Sequence, residues 1–87
     1  MNVLTEAQRG VSVAFSEKVE GRFDGIEWDL SPNGVPLLRG SAATFECQLG
    51  AVIEAGDHAI LLGEVLHADV HGGKPLVYFD REYRSLV

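Results

Sequence analysis

A long stretch of alternating apolar and polar residues, followed by a turn and a second apolar stretch, most constrains this fold. Apolar side chains occupy every second position from Ala43 to Ile53, with polar residues such as Thr44 and Glu46 between them. This period of two predicts one long strand near residues 43–54 with a single buried face. The turn residues A-G-D-H follow. Residues 59–70 then carry apolar side chains at both odd and even positions, which predicts a second, central strand covered on both faces.

A third, short strand is predicted at residues 76–79, after the sequence H-G-G-K-P ends the second one. Three consecutive strands of this kind form an antiparallel meander, so the predicted fold class is mainly β. Such a sheet has two open edges, which favour pairing with further strands or with another copy of the chain. A twelve-residue run that is apolar on both faces exceeds what a chain this small can cover, so we expect a dimer or a higher assembly.

One short helix is predicted near the N-terminus. The sequence T-E-A-Q from Thr5 matches a capping box, in which Gln8 reaches back to the Thr5 amide, and apolar residues then recur at helical spacing until about Glu17. Glycines and prolines interrupt residues 21–40 and predict a long loop that can carry short strands. Phe23 and Trp28 are its expected anchors.

Composition and charge argue against some classes of partner and of cellular location. The 87 residues carry a net charge of -6, and the seven Lys and Arg residues are scattered, which argues against nucleic acid as a partner. The longest apolar run is too short to span a membrane, and the chain does not begin like an exported one. The single cysteine, Cys47, cannot form an internal disulfide, so a cytoplasmic location is expected.

Five fragments, taken in order and with their spacing, carry a family resemblance. They are N-V-L-T-E-A-Q, R-F, G-V-P-L-L-R-G-S-A-A-T-F-E-C, A-G-D-H-A-I-L-L-G-E-V and P-L-V-Y-F-D-R-E-Y-R-S-L, and they extend from Asn2 to Leu86. The chain closely resembles the flavin reductase-like family. The resemblance implies an antiparallel FMN-binding split barrel that dimerises, with FMN or FAD as cofactor and NADH or NADPH as hydride donor. It also implies that residues 1–87 form one partial domain, the C-terminal half, because the family's upstream strands around the flavin are missing.

The resemblance assigns candidate site residues. His58, in the turn between the two long strands, corresponds to a histidine that borders the flavin and nicotinamide site, and it is the candidate catalytic residue for orienting the hydride donor. Asn2 corresponds to a position that can bind the flavin ring or ribityl group. Phe79, Arg81 and Tyr83 combine stacking surface with a charge that can pair with a phosphate. The alternatives are a turn histidine bonded to backbone, a frayed Asn2 and a solvated strand end.

Two further residue types have ordinary structural interpretations. Cys47 shares its strand face with Phe45 and Leu49, and it is predicted to be a core residue rather than a nucleophile. His67 and His71 lie four positions apart, roughly 13 Å along a strand, which is too far for a metal pair.

Two functions from different classes remain open. The first is a flavin reductase that transfers hydride from NAD(P)H to FMN or FAD and supplies reduced flavin to a partner monooxygenase. The second is a truncated, non-catalytic flavin-binding or assembly half-domain, left after loss of the upstream strands. In either case the chain itself is expected to lack much of the flavin site, and it would pair with the missing N-terminal half or with a second copy.

Overall fold

The structure, a computed structural model, describes residues 1–17, 20–21 and 23–86. Within these residues the chain forms β1 (Asn2–Val3), a 3-10 helix (Glu6–Gln8), α1 (Arg9–Ser16), β2 (Trp28–Leu30), β3 (Pro36–Leu38), β4 (Ala43–Ala55), β5 (His58–Val70), β6 (Val77–Phe79) and β7 (Glu82–Arg84). All strand pairs in this part of the chain are antiparallel. The predicted class, mainly β with one short N-terminal helix, is therefore confirmed.

The β4–β5 hairpin is the largest element of the fold. Each strand has 13 residues, and the pairing runs from Ala43 opposite Val70 to Ala55 opposite His58. Both long strands were predicted, and each is one residue longer at the turn than the sequence pattern indicated. Gly56 in that turn has a φ of 63°, a left-handed conformation that glycine adopts without steric cost.

The predicted three-strand meander is wrong. The main sheet has the order β1-β4-β5, whereas β6 pairs with β7 in a separate two-stranded hairpin. The glycines after β5 explain the difference, because Gly72 and Gly73 both have positive φ and redirect the chain. The chain then meets the N-terminal segment, where the Leu76 amide donates to the Leu4 carbonyl at 2.9 Å.

The prediction that the second long strand is central and covered on both faces is also wrong. In the described part of the chain β5 is an edge strand, and all of its residues are exposed. The strand β4 is exposed from Cys47 onward, so the predicted core position of this cysteine is wrong as well. Among the described residues no hydrophobic side chain is buried, because no other element lies over the hairpin.

The dimensions of the chain agree with this open arrangement. The radius of gyration is 14.1 Å, whereas a compact chain of this length has one of roughly 12 Å. The accessible surface is 6783 Å², compared with roughly 5,000 Å² for a compact monomer of the same mass. The chain therefore exposes much more surface than a self-contained domain of its size.

A β-bulge explains why a simple alternation misassigned the faces of β4. Gly50 is an extra residue between the paired positions Leu49 and Ala51. It offsets the alternation by one, so that Val52 joins the face of Leu49 while Ile53 lies on the opposite face. Both faces of the hairpin consequently carry apolar side chains, one with Leu49, Val52, Leu61 and Val65, the other with Ala51, Ile53, Ile60 and Leu62.

The helix and the long loop follow their predictions, with one difference. Gln8 accepts a hydrogen bond from the Thr5 amide at 3.0 Å, as the capping-box pattern predicted, but the first turn is a 3-10 turn rather than α-helix. The ring of Phe23 packs edge-on against Phe15, with centroids 5.1 Å apart, and against Trp28 at 5.7 Å. The loop is thus anchored to α1 by aromatic contacts, and it carries the short strands β2 and β3.

A buried polar cluster connects the β2–β3 hairpin to β4. The Ser31 hydroxyl donates to Oε1 of Glu46, whose side chain is only 3% exposed. The same Ser31 Oγ accepts the backbone N–H of Val35 at 3.0 Å and that of Asn33 at 3.3 Å. At the start of β4 the buried face is therefore the polar one, which carries Thr44 and Glu46. The alternation had predicted that the other, apolar face is buried.

Replacing Ser31 with Ala should destabilise the chain more than an ordinary surface substitution does. The change removes the donor to a buried carboxylate and the acceptor of two turn amides, so we expect a loss of about 1–3 kcal/mol in the free energy of unfolding. Urea denaturation followed by circular dichroism measures it, with the exposed Ser85→Ala as the matched control. Equal free energies of unfolding for the two variants would contradict the role assigned to this cluster.

Candidate functional site

A groove of about 740 Å³ lies between α1 and the β6–β7 hairpin. Helical spacing positions its first wall, because residues 9, 12 and 16 project from one side of the helix. The second wall comes from the hairpin, in which Tyr78 pairs with Tyr83 across the two strands. The polar side chains of the groove are Arg9, Ser12, Ser16, Tyr78, Arg81, Glu82 and Tyr83.

Contacts around Tyr83 join the two walls. Its hydroxyl lies 2.8 Å from Oγ of Ser12, a hydrogen bond in which either group can be the donor. The Arg9 guanidinium carbon lies 5.0 Å from the centroid of the Tyr83 ring, within the range of a cation–π interaction. The Tyr78 ring lies 5.2 Å from that of Tyr83. The groove therefore combines cationic, hydroxyl and aromatic groups.

The turn between β6 and β7 holds Arg81 at the groove in an uncommon backbone conformation. Asp80 and Arg81 have φ values of 52° and 62°, so both residues of this two-residue turn are left-handed, as in a type I′ hairpin. Asp tolerates this conformation because its short side chain can bond locally, whereas a long side chain such as that of Arg has a cost of about 1 kcal/mol or more. A residue better suited to the turn, such as glycine, would remove the guanidinium from the groove.

The two arginines of the groove differ from others in their charge environment. No carboxylate of the described residues lies within 4.0 Å of the Arg9 or Arg81 side-chain nitrogens. Arg84, by contrast, pairs with Glu82 at 2.9 Å. The groove is therefore a local positive site in a chain whose net charge is -6.

Arg39, which lies outside the groove, forms an ion pair with a carboxylate of the described residues, unlike the two arginines of the groove. Arg39 donates to both carboxylate oxygens of Asp29, at 2.6 and 2.8 Å. These hydrogen bonds hold the pKa of Asp29 below its usual value, and the carboxylate in turn raises the pKa of Arg39. Both groups are solvent-exposed, so the pair stabilises the β2–β3 hairpin only modestly.

Three of the predicted site residues lie on or beside the β6–β7 turn. Arg81 and Tyr83 line the groove. Phe79 immediately precedes the turn, is 69% exposed and does not line the groove. Their role in binding a cofactor remains a prediction, and the structure brings two of the three together.

Asn2 has a definite structural partner. It pairs with Thr44 in the main sheet, and its Oδ1 accepts the backbone N–H of Leu38 at 3.0 Å. The residue is therefore held in the sheet, not frayed. It also lines a second cavity of about 430 Å³ beside α1, where its side-chain NH₂ can still donate.

His58 lies at the tip of the β4–β5 hairpin, away from the other predicted site residues. Its side chain is 82% exposed, and its Nδ1 contacts the carboxylate of the neighbouring Asp57. Asn2 pairs at Thr44 and His58 at Ala55, so eleven strand positions, on the order of 30 Å, separate them. Within one chain His58 does not join the groove.

Arg9 and Ser12 were not predicted from the sequence as groove residues. Their contacts are with Tyr83, more than seventy positions away, and such a long-range pairing leaves no local pattern. The available signal was the spacing of three, which places both on one helix face.

Within residues 1–17, 20–21 and 23–86 no group of three His, Cys, Asp or Glu side chains is arranged to hold a metal ion. None of the helices in that part of the chain is long and apolar enough to cross a membrane.

The chain is similar in sequence to one protein family and to several of its curated members. The family model described as "Flavin reductase like domain" matches residues 1–87. The chain is 40% identical to a flavin reductase of Pseudomonas putida over 93% of its own length and 48% of that protein. It is also 40% identical to the FMN reductase (NADH) SmoA of Agrobacterium fabrum, over 90% of this chain and 44% of that protein. The chain thus spans about half the length, or less, of the curated relatives it matches.

The fold of the chain is also similar to that of solved structures. A homologue of nitrilotriacetate monooxygenase component B from Mycobacterium thermoresistibile superposes with a TM-score of 0.92 at 31% identity, over 99% of this chain and 50% of that one. The NADH:FAD oxidoreductase of Streptomyces globisporus, solved with NAD and FAD fragments, gives a TM-score of 0.92 at 30% identity, over 99% of this chain and 53% of that one. The predicted fold class is confirmed by these superpositions.

Substitutions at Asn2 separate its structural contact from any contact to a ligand. Asn2→Ala leaves the Leu38 amide without its acceptor, and we expect a loss of about 0.5–1.5 kcal/mol in the free energy of unfolding. Asn2→Asp keeps a side-chain oxygen at that position and should retain most of the stability. Urea denaturation of the two variants provides the measurement. If the Ala and Asp variants are destabilised equally, the hydrogen bond from the Leu38 amide is not the source of the stability that the Asn2 side chain contributes.

Proposed function

We propose, from the premise that this chain belongs to the flavin reductase-like domain family, that it forms part of an NAD(P)H-dependent flavin reductase. The reaction would transfer hydride from NADH or NADPH to FMN or FAD. The observation that carries the proposal is the family match over residues 1–87 together with the superposition on the Streptomyces enzyme solved with NAD and FAD fragments. The chain spans about half of that enzyme, so the activity is proposed for the complete domain.

The proposal includes a partner monooxygenase that uses the reduced flavin. One relative, 33% identical over 99% of this chain, is the reductase subunit HsaB of a flavin-dependent monooxygenase in Rhodococcus jostii. Another, 46% identical over 75% of this chain, is the reductase subunit of stachydrine N-demethylase in Rhizobium meliloti. We place the protein in the cytoplasm, in keeping with the free, exposed thiol of Cys47.

The described residues fit part of a nucleotide cofactor. Two arginines that no described carboxylate approaches within 4.0 Å, together with a pair of tyrosine rings, offer a phosphate site beside a stacking surface. Bound flavin would supply the hydride-accepting ring, and the protein residues would bind and orient it. In this proposal Asn2, Phe79, Arg81 and Tyr83 contact the cofactor, while His58 orients the nicotinamide.

A second candidate, a non-catalytic flavin-binding or assembly half-domain, is favoured by one observation. The β4–β5 hairpin is exposed over almost its whole length, so the chain presents an apolar sheet that a complete reductase domain would cover. A chain that binds flavin without reducing it, in any assembly, would support this candidate over the enzyme.

We further propose that a second copy of this chain covers the hairpin. The accessible surface exceeds that of a compact monomer by about 1,800 Å², which is more than the roughly 800 Å² per partner that a stable interface needs. Exposed apolar patches of this extent are typical of interaction surfaces. The edge strand β5 adds unpaired backbone groups that a neighbouring strand can satisfy.

Light scattering at micromolar concentration should therefore show a dimer or a larger assembly. Leu61→Glu places a charge in the apolar face of the hairpin and should reduce the mass towards that of a monomer. The matched control is Leu30→Glu, because Leu30 is 61% exposed and lies outside the hairpin, whereas Leu61 is 65% exposed. A stable monomeric wild-type chain would contradict the assembly, and dimerisation only after addition of an upstream segment would assign the surface to that segment.

In the complete domain, His58→Ala should slow flavin reduction by NADH or NADPH while leaving flavin affinity nearly unchanged. A side chain that only orients the donor acts through proximity, and its loss should lower the rate by about ten- to a hundredfold. Stopped-flow reduction of bound flavin, run beside a flavin titration, measures both quantities. His71→Ala, another exposed histidine of this chain, is the control. An unchanged reduction rate would leave His58 as a turn residue, and no reduction by the wild type would contradict the reductase function.

A further inference from the structure

We propose that Asn33, in the loop between β2 and β3, is a site of spontaneous deamidation, and that the buried cluster of Ser31 and Glu46 limits its rate. The reaction converts the side-chain amide to a carboxylate, or the backbone to an isoaspartyl linkage, with water as the only co-reactant. It needs no cofactor and no partner, so the proposal is independent of the proposed reductase function.

The sequence around Asn33 favours this reaction. The chain contains two asparagines, Asn2 and Asn33, and only Asn33 is followed by a glycine. The backbone nitrogen of the next residue has to reach the side-chain carbonyl carbon, and a glycine has no Cβ that would obstruct this approach. Asn2 is followed by the β-branched Val3, and both residues are paired with β4 in the main sheet. Asn2 is therefore a control within the same chain.

The bond changes pass through a cyclic imide. The Gly34 nitrogen attacks Cγ of Asn33 and loses its proton, the new N–Cγ bond closes a five-membered ring, and the Cγ–Nδ2 bond breaks so that Nδ2 leaves as ammonia. Water then hydrolyses the ring. Opening at Cγ yields aspartate, whereas opening at the backbone carbonyl carbon yields isoaspartate. No group is oxidised or reduced, and each turnover consumes one water and releases one ammonia.

The loop offers room for the ring but binds the attacking nitrogen. Asn33 and Gly34 are both exposed, and a Cβ built on Gly34 would meet no atom within 4 Å. The Gly34 N–H, however, donates to the Ser31 carbonyl at 2.9 Å. That bond has to break before the nitrogen can attack. The rate in the folded chain should therefore follow the fraction of molecules in which the loop is open.

Ser31 holds the loop closed on both sides of the reactive pair. Its Oγ accepts the N–H of Asn33 at 3.3 Å and that of Val35 at 3.0 Å. Its backbone N–H donates to the Val35 carbonyl at 2.8 Å. The hydroxyl of Ser31 in turn donates to the buried carboxylate of Glu46, which fixes the orientation of Oγ. Opening of the loop therefore disturbs the bonds of a buried charge, which makes the open state costly.

Either product alters the loop that carries this cluster. An aspartate places a new negative charge two residues from Ser31, whose hydroxyl binds the Glu46 carboxylate, and like charges repel. An isoaspartate adds a methylene to the backbone between residues 33 and 34, which shifts the Val35 amide away from its acceptor on Ser31. Both changes should weaken the attachment of the β2–β3 hairpin to β4, so deamidation should lower the stability of the chain as it ages.

The test incubates the full 87-residue chain in neutral buffer and follows the mass gained when an amide becomes an acid, located by peptide mapping. We expect the change at Asn33 and not at Asn2. Ser31→Ala should accelerate it by about fivefold or more, because the loop loses the acceptor of two amides. The exposed Ser85→Ala is the matched control, and its rate should stay within about twofold of the wild type. Asn33→Gln should abolish the change, since its longer side chain would have to close a six-membered ring.

A second comparison separates opening of the loop from unfolding of the whole chain. Wild-type chain is incubated in enough urea to match the free energy of unfolding of Ser31→Ala. If the loop opens locally, the variant still reacts faster than this matched wild type. Equal rates would assign the reaction to global unfolding and overturn the role of the cluster, as would equal rates for Ser31→Ala and Ser85→Ala.

Two further outcomes bear on the site itself. After incubation, the wild type should have a lower free energy of unfolding than Asn33→Gln treated in the same way, and equal values would contradict the effect on stability. If Asn33 reacts in strongly denaturing urea but remains intact in native buffer throughout the incubation, it is not a deamidation site of the folded chain.

Discussion

The backbone ladder between β4 and β5 is the interaction on which the rest of the structure depends. These two strands pair from Ala43–Val70 to Ala55–His58, and the other elements attach near the open end of that hairpin. β1 pairs with the first residues of β4, and the segment before β6 returns to Leu4 and Thr5. The position of the helix, and therefore of the groove, thus depends on how β1 and the C-terminal segment meet at this end.

Polar contacts, rather than apolar burial, fasten the short elements to this hairpin. In the described residues the buried side chains are Ser31, Ser41, Thr44 and Glu46, all polar. The large apolar side chains of the hairpin from Leu49 onward, by contrast, remain between 42% and 81% exposed, so they lack much of the stabilisation that full burial would give, about 25 cal/mol per Å². Covering them is consequently the largest source of stability still available to this chain, and it requires a surface from another segment or another molecule. The proposed assembly would therefore supply the burial of apolar surface that the exposed hairpin lacks.

The sequence allowed prediction of local structure but not of long-range arrangement. Period-two patterns and turn residues located both long strands, and the capping-box pattern located the helix start. The bulge at Gly50 reversed the faces for the residues that follow it, because one extra residue shifts every later side chain. The direction of the chain into β6 depended on contacts of Pro75 and Leu76 with the distant residues Thr5 and Leu4, which local patterns do not encode. Arg81 and Tyr83 came from a family resemblance, whereas Arg9 became visible only when the fold placed it over Tyr83.

The distance between His58 and Asn2 constrains how both could serve one reaction. Asn2 lies at the open end of the hairpin and His58 at its tip, eleven strand positions or on the order of 30 Å away along the strands. Hydride transfer needs donor and acceptor rings in near contact, so a side chain that orients the donor must be close to that contact. Within a single chain, His58 and Asn2 therefore cannot hold the same ring. If both act on one nucleotide pair, the hairpin tip of one molecule has to approach the Asn2 end of another, and the assembly that covers the apolar hairpin would then also complete the site.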